Sequence, residues 1–317
     1  MLNLMRNISR DRFTARLVAE VVLITYPRRS IILTALFTII ALAGCSKFDL
    51  LNATIPSGGY DRIVDIPYGG HTRQKLDIYR LRDLKPSGDI KPSQDIVVFF
   101  YGGDWQDGSK EGYRFVAQAL ASRGLIAVLL DYRLYPEVTF PAFVEDGALA
   151  VRWVHDNAAM LGGDPRHVYL MGHSAGAHIA ALLTLDERYL NRVGLDRTDI
   201  RATIALSGPY DFAPSEEDRA VFRMQPGQAR PDDSAEPITF VDGRAPPMLL
   251  IHGQADETVE PGNATRLADR IRAAGGIVDT IYYPGKGHVP VVLAFAWPFR
   301  WLAPTLDDVC AYVRARS

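Results

Sequence analysis

The chain has 317 residues, of which 48% are hydrophobic and 23% charged, a composition typical of a folded globular protein with one large domain or two modest ones. Its 35 basic and 37 acidic residues give a net charge of −2, which offers no electrostatic basis for binding nucleic acid and favours small or neutral partners. The two cysteines, Cys45 and Cys310, lie far apart in unlike surroundings, so neither a disulfide framework nor a paired-cysteine metal site is predicted.

The N-terminal segment has the pattern of a secretory signal peptide. An uncharged apolar run at 31–43 follows two arginines and is too short to span a membrane comfortably. It ends in Leu42-Ala43-Gly44-Cys45, which resembles the bacterial lipobox. We therefore predict a lipoprotein-type signal peptide at 1–44, lipidation of Cys45 and a tether at 45–60. An uncleaved signal anchor is the alternative.

A lipidated Cys45 predicts a location in the bacterial cell envelope, with acyl chains at the membrane surface and the following domain in water. Ser46 stands where an inner-membrane retention signal would place aspartate, which favours the outer membrane. A second, mostly apolar stretch at 17–25 lengthens the segment before the apolar run, so the true start of the protein stays open.

From residue 61 to 317, short apolar runs alternate with amphipathic stretches, which predicts one α/β domain with a mostly parallel central sheet covered by helices on both faces. Two runs parted by Gly69-Gly70, at 62–66 and 75–79, predict an antiparallel hairpin at the edge of the sheet. Further strands are predicted at 96–100, 125–130, 168–171, 203–206, 248–251 and 277–283. Helices are predicted at 143–157, 177–185, 263–274 and 306–314.

The motif Gly172-His173-Ser174-Ala175-Gly176 directly follows the strand at 168–171 and directly precedes a helical stretch, the context that a nucleophile elbow requires. This context predicts Ser174 as a nucleophile, and glycines on both sides let strand and helix approach closely. His173 fills the variable position of the motif and is expected to pack beneath the site.

A second motif, Tyr101-Gly102-Gly103-Asp104-Trp105, follows the buried strand at 96–100. Backbone N–H groups of such a loop can converge on the oxygen that becomes negative in an acyl-transfer transition state. We predict an oxyanion hole drawn from Gly102, Gly103, Asp104 and Ala175, with Gly103, Asp104 and Ala175 as the donors. A plain glycine turn is the alternative.

These motifs resemble those of the hormone-sensitive-lipase-like carboxylesterases, which have the α/β-hydrolase fold, and the likeness covers roughly 61–317. The loop of that group usually reads His-Gly-Gly-X, often followed by Trp, and Tyr101 replaces its histidine here. Because that histidine braces the loop and does not react, the departure bears on loop geometry and substrate range. Further likeness lies in Asp131-Tyr132-Arg133-Leu134, Gly163-Asp164-Pro165 and Ser207-Gly208-Pro209-Tyr210-Asp211.

The resemblance also implies the acid and the base, which follow the serine in that order along the chain. Asp256 matches the acid of the family's loop after the strand at 248–251, with the adjacent Glu257 as the alternative. His288 follows the last strand and matches the base that takes the proton of Ser174. The remaining histidines are expected at the surface or in the core: His71, His155, His167, His178 and His252.

The predicted function is a serine hydrolase that cleaves carboxylic esters of short to medium acyl length through an acyl-enzyme. The alternatives are an amide-directed hydrolase (an arylformamidase or a peptidase), a catalytically silent binding lipoprotein, or a structural envelope lipoprotein. No cofactor or metal is expected, and the oligomeric state stays open. Residues 210–244 are predicted as a small cap, and 291–302 as an acyl pocket or, alternatively, core packing.

Overall fold

A central sheet of eight strands organises the domain, because long apolar runs of five or six residues can be buried on both faces only in a sheet flanked by helices. The strands are β1 (Tyr60–Pro67), β2 (Lys75–Leu81), β3 (Ile96–Phe100), β4 (Ile126–Leu130), β5 (Val168–His173), β6 (Ala202–Leu206), β7 (Met248–Gly253) and β8 (Val278–Tyr283). Their order in the sheet is β1-β2-β4-β3-β5-β6-β7-β8. The pairs β1–β2 and β2–β4 are antiparallel, and every other pair of neighbours is parallel.

The computed structural model describes residues 51–52, 54–56, 58–82, 95–216, 218–228 and 235–317. The chain divides into the units Met1–Ala53 and Thr54–Ser317, and the fold presented here is that of the second. The predicted signal peptide and Cys45 lie outside the described residues. Within the described ranges, no helix has the length and apolar character needed to cross a bilayer.

Seven α-helices of the described chain flank the sheet. They are α1 (Arg114–Ala121), α2 (Ala142–Leu161), α3 (Ala175–Leu185), α4 (Glu187–Arg192), α5 (Gly262–Ala273), α6 (His288–Leu293) and α7 (Thr305–Arg314). Helices α3 and α5 share one apolar cluster with the strand residues Ala205 and Leu250, and α1 packs with α7. Gly275 adopts the left-handed conformation just after α5, as expected of a glycine that ends a helix.

The predicted fold class is confirmed, including the edge hairpin of β1 and β2. All eight predicted strands are present, and all five residues of β3 are buried as predicted. Helices α1, α4 and α6 were not predicted. Helix α1 has only eight residues, and so short a segment does not show a helical period clearly in the sequence.

The sheet topology determines where the predicted motifs meet. β3 and β5 are parallel neighbours, with Phe100 opposite Gly172, so the two loops that follow them emerge side by side. β7 and β8 are parallel neighbours as well, with Gly253 opposite Tyr283. Ligands of open parallel sheets bind beyond the carboxyl ends of the strands, and all four loops leave the sheet at that edge.

Two segments flank this edge. The described part of 210–244 contains a 3₁₀ helix, Pro237–Phe240, and packs Phe212 and Phe222 against the ring of Trp105, at centroid distances of 6.0 and 4.8 Å. The segment 291–302 divides in two: its first part is core, with Phe295 fully buried, whereas two of its tryptophans, Trp297 and Trp301, are exposed to 66% and 60%. The core alternative is therefore right for the first part, and neither tryptophan lines a buried acyl pocket.

Candidate active site

Ser174 occupies a strained turn between β5 and α3. Its backbone angles are φ 56° and ψ −123°, a region that a residue with a side chain adopts only where the surrounding structure enforces it. The Ser174 N–H donates to the Leu206 carbonyl at 2.9 Å, which ties the turn to the end of β6. The serine is therefore held at the tip of the turn rather than within the strand or the helix.

The glycines of the motif are required by close backbone approach. A side chain on Gly172 would collide with the carbonyl of Gly176, and a side chain on Gly176 would collide with the carbonyl of Phe100. Without these glycines, β5, α3 and β3 could not pack as tightly as they do around Ser174. The sequence prediction of the elbow thus has a direct steric basis.

The loop after β3 lies directly against the elbow. A Cβ atom added to Gly102 would come within 2.9 Å of the Ser174 Cβ. The next three residues, Gly103, Asp104 and Trp105, all have positive φ angles, of 140°, 52° and 58°. This run of positive φ angles turns the backbone sharply beside the serine.

Two observations bear on the predicted oxyanion donors. The carbonyl of Gly103 accepts hydrogen bonds from the N–H groups of Gln106 and Asp107, both at 2.9 Å, which fixes the plane of the peptide that follows Gly103. Ala175 is the first residue of α3, where a helix leaves backbone N–H groups without a partner inside the helix. Their roles as donors remain a prediction.

Tyr101, which replaces the usual histidine, braces this loop. Its hydroxyl accepts a hydrogen bond from Arg73 Nη2 at 2.7 Å, and its ring stacks on Tyr132 with the centroids 4.5 Å apart. The Tyr132 hydroxyl in turn donates to the Tyr101 carbonyl at 2.8 Å. Burial raises the pKa of Tyr101, so the hydroxyl keeps its proton. The tyrosine therefore supplies a polar brace of its own.

Changing Tyr101 to phenylalanine is expected to lower kcat by about tenfold with little change in KM. The variant keeps the ring stack but loses a hydrogen bond to a charged group, and such a bond contributes about 1.5–3 kcal/mol to the stability of the loop conformation. Steady-state ester hydrolysis measures the effect. Tyr79→Phe removes the hydroxyl of a different buried tyrosine, which lies in β2. It is the matched control and should keep the parental rate. Parental kcat in Tyr101→Phe would mean that other contacts hold the loop.

Asp256 and His288 form a buried pair after β7 and β8. His288 Nδ1 lies 2.8 Å from Asp256 Oδ2, and the side chain of His288 is almost fully buried. The other carboxylate oxygen, Oδ1, accepts the N–H groups of Thr258 and Val259 at 3.0 and 2.9 Å. The adjacent Glu257 is exposed, so Asp256 and not its neighbour is the carboxylate that contacts the histidine.

The charge of Asp256 is stabilised by its hydrogen bonds. Burial by itself raises the pKa of the carboxyl, but the hydrogen bonds from His252 and His288 outweigh it and hold the pKa well below the ordinary value. Asp256 is therefore an anion near neutral pH. An anion at this position orients the His288 ring, with the Nδ1 proton toward the carboxylate and Nε2 left to accept a proton.

His288 lies beside the elbow, although no hydrogen bond joins it to Ser174 within the described structure. The ring of His173, the residue before Ser174, is 4.7 Å from the ring of His288, and its Nε2 is 3.2 Å from the His288 carbonyl. His288 Nε2 is buried and has no hydrogen-bond partner among the described residues. Such looseness between nucleophile and base is common before substrate binds.

The environment of His173 agrees with the packing role predicted for it. Burial, together with the neighbouring His288, lowers the pKa of His173 to about 3, so its ring is neutral at physiological pH. Because the His173 ring takes up a proton so reluctantly, it does not compete with His288 for the proton of Ser174.

The structure also shows a contact that sequence reasoning missed. His252, assigned above to surface or core, is fully buried, and its Nε2 lies 3.2 Å from Asp256 Oδ2. Its position at the end of a buried strand gave no signal of this contact. Of the other histidines, His71 pairs with Glu137 at 2.7 Å, and His167 Nδ1 lies 3.2 Å from Asp95.

Three features of this site define an α/β-hydrolase. They are a serine on a strained strand-to-helix turn, a histidine–aspartate pair after later parallel strands, and a sharply turned loop beside the serine. A family model described as BD-FAE matches residues 76–271. The chain belongs to this family, and with it to the hormone-sensitive-lipase-like group that the motifs resemble.

Individual relatives agree with this assignment. The chain is 32% identical to "Isoprenylcysteine alpha-carbonyl methylesterase ICME" of Arabidopsis thaliana, over 80% of this chain and 62% of the relative. It is 31% identical to "Esterase LipQ" of Mycobacterium tuberculosis, again over 80% of this chain and 62% of the relative. The chain thus spans about three fifths of the length of the curated relatives it matches.

Among solved structures, the thermophilic esterase Est2 of the Planctomycetes species Thermogutta terrifontis, with propionate bound, is similar to this fold. The TM-score is 0.62 at 25% sequence identity, and the match covers 81% of this chain and 96% of the neighbour.

Proposed function

We propose that the protein is a serine hydrolase that cleaves carboxylic esters of short to medium acyl length through an acyl-enzyme. The observation that carries this proposal is the buried pair of His288 Nδ1 and Asp256 Oδ2, 2.8 Å apart, beside the strained turn of Ser174. This pairing leaves His288 Nε2 as the proton acceptor next to the only side chain of the elbow motif that can act as a nucleophile.

In the proposed reaction, Ser174 Oγ attacks the ester carbonyl carbon while its proton passes to His288 Nε2. The carbonyl π bond breaks, and the electron pair moves onto the oxygen, which the N–H groups of Gly103, Asp104 and Ala175 stabilise. When the tetrahedral intermediate collapses, the C–O bond to the alcohol breaks and His288 returns the proton to the leaving alkoxide. Water then attacks the acyl-enzyme by the same steps and releases the acid.

The relatives support ester substrates. The Arabidopsis relative is named for a methylester, and the Thermogutta esterase was solved with propionate, the acid of a short acyl chain. These two relatives support ester cleavage, and the bound propionate supports the short-acyl part of the proposal.

The test is hydrolysis of p-nitrophenyl esters of graded acyl length by the full chain, together with labelling by a fluorophosphonate. We expect acetate, propionate, butyrate and octanoate to react faster than palmitate, and the label to be found by mass spectrometry on the peptide that contains Ser174. A folded protein that neither turns over these esters nor takes up the label would overturn the proposal and favour a silent binding protein. Turnover of anilides alone would favour an amide-directed hydrolase.

We further propose that Cys45 is lipidated and holds the protein in the bacterial cell envelope, at the outer membrane. The support is the sequence alone: a 13-residue apolar run that ends in Leu42-Ala43-Gly44-Cys45. We expect incorporation of radiolabelled palmitate by the parent chain and its loss in Cys45→Ala. A chain that stays in the envelope unlabelled, with residues 1–44 still attached, would instead establish the uncleaved anchor.

A further inference from the structure

His252 is a buried histidine with a defined hydrogen-bonding geometry, four residues before Asp256. Its Nε2 lies 2.9 Å from the Val259 carbonyl and 3.2 Å from Asp256 Oδ2. Both neighbours are acceptors, so Nε2 carries the proton, donates it to the Val259 carbonyl and presents it close to Asp256 Oδ2. The other ring nitrogen, Nδ1, is buried and has no partner in the described part of the chain.

Asp256 accepts three hydrogen bonds and has one further close contact. Oδ1 accepts the N–H groups of Thr258 and Val259, and Oδ2 accepts His288. His252 Nε2 approaches Oδ2 to 3.2 Å, so both carboxylate oxygens are held by two neighbours. The terminal torsion of an aspartate is otherwise broad, and donors on both oxygens are what define it.

Val259 links the two interactions. Its N–H donates to Asp256 Oδ1, and its carbonyl accepts from His252 Nε2. His252 is therefore linked to Asp256 through Val259 by two successive hydrogen bonds, in addition to the direct 3.2 Å contact, and these join the acid loop to the end of β7. Loss of the His252 ring removes both the neighbour of Oδ2 and the donor to the Val259 carbonyl.

We propose that His252 is a positioning residue that holds Asp256 Oδ2 toward His288 Nδ1. The inference rests on the proposed function, since it assumes that Asp256 orients the base. His252 contacts none of the reacting atoms, so its effect reaches the reaction only through Asp256. The expected consequence is a loss in kcat rather than in substrate binding.

The test compares two replacements of similar size in the full chain. His252→Met removes the donor and is expected to lower kcat by about tenfold to a hundredfold, the cost of a small misplacement of a catalytic group, with KM unchanged. His252→Gln retains an N–H that can reach the same acceptors and should recover most of the parental kcat. Equal kcat in the two variants, or a change confined to KM, would overturn the inference.

A double-mutant cycle separates positioning from a general structural effect. In the Asp256→Asn background, His252→Met should cause no further loss in kcat, because the residue through which it acts is already disabled. Losses that multiply would overturn the inference while leaving the proposed function intact. Parental activity in Asp256→Asn alone would remove Asp256 from the mechanism and overturn the inference with it, whereas the absence of ester turnover and of fluorophosphonate labelling in the parent would overturn the proposed function.

A third variant covers the case in which His252→Met does not fold. His252→Asn keeps an amide in the buried position, but its shorter side chain cannot reach both acceptors. We expect this variant to be folded, as a cooperative unfolding transition would show. Its kcat should fall as predicted for His252→Met, with KM unchanged. Parental kcat in this folded variant would overturn the inference.

Discussion

The Ser174→Ala variant is expected to have a kcat for ester hydrolysis roughly 10⁶-fold below that of the parent, the size of loss seen when the nucleophile of a triad enzyme is removed. The substitution deletes the only atom that forms the acyl-enzyme, and water attacking directly is a far poorer path. Because alanine meets the same backbone strain as serine at this turn, the fold should be unaffected. Burst and steady-state kinetics with p-nitrophenyl butyrate measure the loss.

Ser207 offers a matched control for this change. It is a buried serine that follows β6 and also has a positive φ, of 48°. Ser207→Ala deletes the same hydroxyl from a similar backbone position and should retain the parental rate. Comparable activity in Ser174→Ala and the parent would remove the serine from the mechanism altogether.

Replacing Asp256 by asparagine is expected to lower kcat by about 10⁴-fold, as in serine hydrolases whose orienting acid is changed in this way. An asparagine that turns its amide N–H toward His288 Nδ1 stabilises the wrong tautomer, which leaves Nε2 protonated and unable to accept the serine proton. Kinetics at pH 7 measure the effect. Glu257→Gln changes the adjacent, exposed carboxylate and should have the parental kcat; if it instead produced the larger loss, the acid would be Glu257.

The same substitution is expected to change how stability depends on pH. Burial raises the pKa of Asp256, but its hydrogen bonds hold the folded-state pKa well below the ordinary value. The stabilisation is therefore present above about pH 4 and is lost as the pH falls through the folded-state pKa. The free energy of unfolding of the parent should decrease more steeply below about pH 4 than that of Asp256→Asn, as measured by denaturant titration. Parallel curves for the two proteins would contradict this expectation.

The sheet could be predicted from the sequence because its strands are unbroken apolar runs. Ile96–Phe100 was predicted with the bounds that it has, and the other strands differ by one or two residues at one end or, for β1, at both ends, where hydrogen bonding and not apolarity decides the limit. The predicted helices α2, α5 and α7 have apolar residues at helical spacing on one face, whereas α3, all of whose residues are buried, could be predicted because it directly follows the elbow motif. Helix α6 was missed because its short apolar run contains Pro290 in the first turn, which reads as a loop.

Local motifs predict Ser174, Asp256 and His288 as the catalytic residues, since each follows a strand in the order the fold requires. The structure brings Asp256 and His288 into contact, whereas the catalytic roles of the three residues stay predictions. Two contacts of the site could not be predicted: the hydrogen bond between Arg73 and Tyr101, and the contact between His252 and Asp256. Both depend on how the chain packs, and no periodic pattern in the sequence indicates either of them. The predictions for 1–44 and Cys45 concern residues outside the described structure and stay predictions.

The loops that carry Asp256 and His288 are joined by hydrogen bonds between their backbones as well as by the contact between the two side chains. The N–H of Ala255 donates to the Lys286 carbonyl at 2.9 Å, and the N–H of Gln254 donates to the Tyr283 carbonyl at 3.0 Å. These backbone hydrogen bonds link the acid loop to the histidine loop, whereas 210–244 follows β6, which lies between β5 and β7 in the sheet. Replacing 210–244 by a segment from another protein should therefore change which esters are hydrolysed without changing the geometry of His288 and Asp256. This segment is accordingly the part of the chain best suited to redesign of substrate preference.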